Sequence, residues 1–212
     1  MNAVLLTRLK ITDLTALTAL EAGKRMLPEG AALDRVVREE VFHFETASGA
    51  DSADFERVLQ EAIETSNFFV NPNKERFRFL GAAERGERWA APEGAWGLLA
   101  RAWDDTRDEG LRARLQREHP LPGLGVIRRA RVWWLWTRGV GGTSGSGANG
   151  DGRAMAYERL GPLRGPSQGL LVNPHAEASM PIFGSVMWDD VDRFLSAPAA
   201  APARSGTRRT TP

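Results

Sequence analysis

The spacing of apolar and polar residues changes period several times along the chain, and each change marks an element. Residues 4–11 (Val-Leu-Leu-Thr-Arg-Leu-Lys-Ile) alternate at a strand-like period. Thr12-Asp13 can cap a helix in which Leu17, Leu20, Lys24 and Leu27 fall on one face, stopped by Pro28 and Gly30. Residues 33–45 are β-rich with Arg38, Glu39 and Glu40 in the middle, which predicts two strands around a tight turn. The next helix has the clearest pattern. Phe55, Val58, Leu59, Ala62 and Ile63 stand at i, i+3, i+4, i+7 and i+8 behind the capping pair Asp51-Ser52. Asn71-Pro72 breaks the chain, since proline disfavours helical geometry in the residue before it. Residues 74–80 then read as a closing strand with Phe77 and Phe79 on one face. The predicted order is β-α-β-β-α-β, a ferredoxin-like unit with both helices on one face of an antiparallel sheet. Its other face must be polar or covered.

The pattern then returns. Leu5-Leu6-Thr7-Arg8 reappears as Leu98-Leu99-Ala100-Arg101 at an offset of 93, and Val41-Phe42 as Val132-Trp133 at an offset of 91. Phe55-Glu56-Arg57-Val58 and Val70-Asn71-Pro72 reappear as Tyr157-Glu158-Arg159-Leu160 and Val172-Asn173-Pro174, both at 102. The offset jumps across a Gly/Ser-rich insertion at 139–152, and the order never changes, which marks a two-unit array. In the second copy Leu98–Trp103 is a strand, Asp105-Thr106 opens a helix with Leu111 and Leu115 inward, and Val126–Thr137 supplies the hairpin pair. Gly161-Pro162 and Gly165-Pro166 shorten the following helix. Met180-Pro181-Ile182-Phe183 is the last strand, with a proline that an edge tolerates. The expected organisation is a first unit over 1–82, a linker over 83–95, a second unit over 96–195 and a disordered tail over 196–212.

Charge and composition narrow the chemistry. The net charge is +1, and removing the three tail arginines Arg204, Arg208 and Arg209 leaves −2, a poor balance for a body that grips polyanions. With no cysteine there is no thiol nucleophile, thiolate metal ligand or disulfide. His43, His119 and His175 are scattered without metal-ligand spacing. The Gly-rich run at 139 lacks the Lys-Ser/Thr ending of a phosphate-binding loop. Trp133, Trp134 and Trp136 read chiefly as bulk on both faces of a strand, and secondarily as a stacking platform. The Asn-Pro pairs are turn formers, with a second reading as exposed, rigid corners offered to a partner. No residue is assigned a catalytic role. No 18-residue apolar run is present, so the chain is expected to be cytoplasmic, with no membrane contact.

A unit of this kind, with a charged middle and a helix running into an apolar-Asn-Pro turn, resembles PurS, the small subunit of phosphoribosylformylglycinamidine synthase in purine biosynthesis. The residues that carry the resemblance are Val36-Val37-Arg38, Val41-Phe42-His43-Phe44-Glu45 and Phe69-Val70-Asn71-Pro72. In the second unit they are Ile127-Arg128-Arg129, Val132-Trp133 and Leu171-Val172-Asn173-Pro174. The resemblance spans 4–80 and 96–183. It implies an α+β fold of two tandem ferredoxin-like units whose antiparallel sheets pack face to face as a pseudo-dimer. It also implies a non-catalytic subunit of an ATP-dependent glutamine amidoligase, docking the synthetase (large) subunit to the glutaminase subunit and supporting ammonia transfer. The complex would use ATP and Mg, with no cofactor bound by this chain, no nucleic acid, and further self-association left open. Asn71, Pro72, Asn173 and Pro174 are the expected partner contacts. A small-ligand regulatory module and a nucleic-acid-binding tandem protein stand as alternatives. The second would need Lys/Arg-Gly-Phe-x-Phe strands, and Arg76-Phe77-Arg78-Phe79 lacks the glycine.

Overall fold

A computed structural model of the chain describes residues 2–104, 106–138, 156–163, 165 and 168–197. The first half contains β1 (Asn2–Leu9), α1 (Leu14–Met26), β2 (Leu33–Thr46), α2 (Ser52–Thr65) and β3 (Glu75–Leu80). A connecting stretch holds α3 (Ala82–Arg85) and β4 (Arg88–Ala90). The second half contains β5 (Ala95–Ala102), α4 (Thr106–Glu118), β6 (Leu124–Thr137), a helical segment over 156–160 (α5) and β7 (Glu177–Ile182). Then β8 (Ser185–Met187) and α6 (Trp188–Ser196) follow. The repeat is a structural one. Strands β5, β6 and β7 have the lengths of β1, β2 and β3 and lie at the offsets 93, 91 and 102 that the sequence matches give.

The fold is α+β, but its halves are joined differently from the expectation. One antiparallel sheet of six strands runs β3-β1-β2-β6-β5-β7, so the two halves meet edge to edge along β2 and β6 and not face to face. Glu40 pairs with Arg131, its own counterpart in the repeat, which places a pseudo-twofold axis through that pair. Each half contributes three strands, because the expected hairpins at 33–45 and 126–137 are single strands of 14 residues each. The reason is electrostatic. The middle of the run contains no turn-forming residue, and its central charges find partners without turning. Arg38 bonds Asp13 at 3.1 Å, and Glu39 accepts from Trp134 Nε1 at 2.9 Å. Edge pairing also satisfies two long rows of backbone N–H and C=O groups that face-to-face packing would leave open.

Helices α1, α2, α4 and α5 cover one face of the sheet, here the helical face. Phe55, Leu59 and Ile63 of α2 and Leu115 of α4 pack with Leu5, Phe44 and Ile127, while Ala16 of α1 packs with Val36, Trp133 and Leu135. Asp13 and Asp51 cap α1 and α2 as expected, each accepting two backbone N–H bonds. Leu17 departs from its expected inward position and is 45% exposed; Ala16, Ala19, Leu20 and Gly23 face the sheet instead. The small residues let α1 lie close to the strands.

The opposite face is covered by α6 and a two-stranded ribbon, not by the sheet of the other half. α6 and the β4–β8 ribbon bring Trp89, Trp188, Val191 and Leu195 over Leu6, Val41, Leu99 and Trp134. Residues 83–95, expected to be a linker, therefore supply part of a core. Trp133 and Trp134 are both buried and point to opposite faces, since a strand alternates with period two. The expectation that Phe42, Phe44, Trp134 and Trp136 share corresponding faces fails. Phe42 and Phe44 lie under helices, whereas Trp134 and Trp136 lie with the opposite-face core. The offset of 91 explains this, because it aligns Trp134 with His43 and not with either phenylalanine. Pro181 sits in the edge strand β7, as expected. The disordered tail expected from 196 is corrected at its start, since Ser196 closes α6 and bonds Glu45; the expectations for 139–152 and for 198–212 lie outside the described residues.

Gly97 of β5 carries Trp134 directly over its Cα: an added Cβ would lie 2.5 Å from the indole ring and 3.1 Å from Ile182. Gly97→Ala is expected to lower unfolding free energy by about 1–3 kcal/mol through overpacking, read from urea denaturation followed by tryptophan fluorescence. Unchanged stability would contradict the close packing of Trp134.

Candidate functional site

The Asn-Pro turns are built alike. Asn71 Oδ1 accepts from the Asn73 N–H at 3.1 Å, and its N–H donates to Glu75 Oε2 at 2.7 Å. Asn173 Oδ1 accepts from the His175 N–H at 3.0 Å, and its N–H donates to Glu177 Oε2 at 3.1 Å. The proline carbonyls are capped from equivalent positions, Pro72 by Lys10 Nζ at 2.6 Å and Pro174 by Trp103 Nε1 at 3.1 Å. The repeated motif is thus Asn-Pro-x-x-Glu, and the sequence matches had shown only its first two residues. The asparagine side chains make the turns. Asn71, Pro72 and Asn173 are exposed and Pro174 is half-buried. Because β3 and β7 form opposite edges of the sheet, the two corners are not brought together.

No catalytic constellation forms among the described residues. No cluster of three or more His, Asp or Glu able to hold a metal is found among them. The histidine–carboxylate contacts of His43, with Asp192 and at 3.6 Å with Glu45, are structural. His43 is fully buried, its Nε2 lies 3.0 Å from Asp192 Oδ1, and its Nδ1 has no hydrogen-bond partner, so no hydroxyl is activated there. The carboxylate accepts only, so His43 Nε2 carries the proton. Asp192 also accepts from Arg85 Nη2 at 2.7 Å and Asn2 Nδ2 at 2.8 Å. Burial alone would raise the Asp192 pKa, but the bonds from His43, Arg85 and Asn2 outweigh it and hold the group at about 2. Trp188 Nε1 donates to the Arg85 carbonyl at 2.7 Å, and Ser196 Oγ donates to Glu45 Oε1 at 2.5 Å. These bonds latch α6 onto the sheet. Nothing in the sequence pairs His43 with a residue 149 positions away. A half-buried pair, Asp108 with Arg129 at 3.3 Å, ties α4 to β6, and partial burial pushes the Asp108 carboxyl up.

The surface feature that the fold does not use is the outer side of α1. Ile11, Leu14, Leu17 and Met26 are 60, 70, 45 and 57% exposed. Two open grooves flank the helix. One of about 360 Å3 runs beside Ile11, Leu17 and Val36, and the other, of about 500 Å3, beside Leu14, Ala22, Trp133 and Leu171. When the 13-residue helices α1 and α4 are aligned end to end, Leu14, Leu17 and Met26 fall on Thr106, Glu109 and Glu118. The second copy has the polar exterior that a solvated helix needs. The first copy instead presents Leu14 and Leu17 to solvent at its N-terminal end, while Glu21, Lys24 and Arg25 pair on the exterior before Met26.

Two outcomes follow from the geometry. Stability held by ionised Asp192 is fully present above the ordinary carboxylate pKa of 3.8 and is lost as pH falls toward about 2. The difference in unfolding free energy between wild type and Asp192→Asn, on the order of 2 kcal/mol near neutral pH, is therefore expected to shrink over that window, measured by urea titration at stepped pH. Asn71→Ala and Asn173→Ala should each cost about 1 kcal/mol through the lost turn hydrogen bond, read as a shift in denaturation midpoint. A neutral effect at both positions would mean that proline alone sets the turns.

Among the described residues no helix is long and apolar enough to cross a membrane. Comparison with protein-family models, with curated proteins and with solved structures found no match to this chain.

Proposed function

We propose that this chain is a non-catalytic docking subunit of the PurS type, working beside a synthetase subunit that uses ATP and Mg and a glutaminase subunit. The observation that carries the reading is the apolar N-terminal end of α1, where Ile11, Leu14 and Leu17 are exposed. Exposed apolar side chains grouped at one helix end beside two grooves mark a contact site. The matching positions of α4 are polar, so the fold itself does not require it. The Asn-Pro corners add a second support. They stand at opposite edges of one sheet, a geometry suited to touching two different partners at once. Supporting ammonia transfer between two such partners is a role for a scaffold, and it asks for no catalytic group of this chain.

The experiment is reconstitution. Adding the purified chain to the large and glutaminase subunits should raise glutamine-dependent synthesis and leave ammonia-dependent synthesis nearly unchanged, because free ammonia needs no docking. Leu14→Glu/Leu17→Glu should abolish the stimulation while keeping the melting temperature, since both side chains are already in solvent. Equal response of the two rates, or full stimulation by the double variant, would refute the docking role.

A further inference from the structure

On the sheet face opposite α1, a cavity of about 280 Å3 opens between the outer corner of the first half and the segment Trp89–Pro92. Three arginines line it. Arg8 of β1 stands directly opposite Arg76 of β3, and Leu6 stands opposite Arg78, so all three guanidinium-bearing positions share one face. Like charges directly opposite one another on neighbouring strands destabilise a sheet. One carboxylate is at hand, and it is already shared. Glu39 Oε1 lies 3.9 Å from Arg8, while Glu39 Oε2 accepts from Trp134 Nε1 at 2.9 Å. The side chains of Arg76 and Arg78 are exposed and make no hydrogen bond or ion pair among the described residues.

The repeat shows that the fold does not need this cluster. At the equivalent positions the second half has Arg101, Ala178 and Met180, and Arg101 is buried against Phe194. The same pair of strands therefore folds with one arginine in place of three. Guarding an exposed strand edge is a usual task for charged residues, yet the other edge strand, β7, does without arginine and carries Pro181. A cluster of repelling charges kept in one copy, beside a cavity, is a local conflict of the kind that binding sites retain.

We propose that the Arg8–Arg76–Arg78 corner binds a small phosphomonoester, with the phosphate among the guanidiniums and the organic part against the rim of Ala90 and Pro92, which buried Trp89 backs. A phosphate dianion offers acceptor oxygens in several directions, so it can engage more than one guanidinium, whereas a planar carboxylate is satisfied by one bidentate arginine. The Trp89 backing is rigid. Trp89 is stacked on Trp188 at 5.0 Å with planes 3° apart, and it meets Trp134 edge-on at 5.5 Å. Leu6, Ala90 and Pro92 complete the apolar side. The volume lies at the lower end of ligand cavities, which sets the size of the ligand well below a dinucleotide. The three arginines converge on one small cavity, which suits a single phosphate better than a polymer backbone. The site does not rest on the docking role, and its binding is measured on this chain alone.

The test is calorimetric titration of the full chain at low ionic strength with phenyl phosphate, inorganic phosphate, phenol and an unphosphorylated oligodeoxynucleotide. Phenyl phosphate should bind with one-to-one stoichiometry, inorganic phosphate more weakly, and phenol not at all. Arg76→Ala/Arg78→Ala should weaken phenyl phosphate binding by about tenfold or more for each charge-assisted bond lost, with the ligand-free melting temperature held. Arg76→Gln alone serves as the second variant if the double change fails to fold. Binding unaffected by these substitutions, no binding of phenyl phosphate at millimolar concentration, or oligodeoxynucleotide binding as tight as that of phenyl phosphate would each overturn the proposal.

Discussion

Antiparallel pairing of β2 with β6 is the interaction on which the rest of this structure depends. Those two 14-residue strands carry the pseudo-twofold axis through Glu40 and Arg131, and they turn two small three-stranded layers into one sheet. A three-stranded layer with two helices buries little apolar surface by itself. Joined, the halves share cores across the seam: α1 of the first half packs on Trp133 and Leu135 of the second, and Leu115 of α4 packs with Phe44 of the first. On the helical face these two cores lie on either side of a polar row at the axis, which includes Arg38, Glu40, Arg129 and Arg131. On the opposite face a single core crosses the seam under α6 and the β4–β8 ribbon.

The duplication supplies an internal control that a single unit would lack. Positions equivalent by the repeat share a backbone, so a difference in side chains between them cannot be a requirement of the fold. Strand lengths, the Asn-Pro-x-x-Glu turns and the carbonyl caps from Lys10 and Trp103 are common to both halves, and are structural. Two features belong to the first half alone, the apolar N-terminal end of α1 and the arginine corner on the other face. They lie on opposite sides of the sheet. A macromolecular contact on one and a small ligand on the other would not obstruct each other.

The C-terminal part divides the two halves' fates. α6 covers Arg101 with Phe194 and reaches the first half through Asp192, which His43, Asn2 and Arg85 hold by hydrogen bonds. The helix therefore closes the corner of the second half that corresponds to the arginine cavity and leaves the cavity itself open. A buried carboxylate with several donors is a costly group to strand unpaired. The latch thus ties the position of α6 to the pairing of β1 and β2 as well as to its own apolar side.

Local pattern determined the elements here. The spacing of Phe55, Leu59 and Ile63 specifies α2, Asp13 and Asp51 cap their helices, and the matched tetrapeptides place β5, β6 and β7 at the offsets they occupy. The doubled burial of Trp133 and Trp134 was also legible, because a strand alternates whatever covers it. What covers it was not. Whether Arg38-Glu39-Glu40 makes a turn or continues a strand depends on Asp13, Trp134 and Arg131, partners distant in sequence. Edge-to-edge joining, the latch between His43 and Asp192 and the cavity beneath Trp89 all arise from contacts across the chain. Periodicity records which side of an element is apolar, and only the tertiary structure decides what that side meets, because burial and charge pairing are properties of neighbours in space.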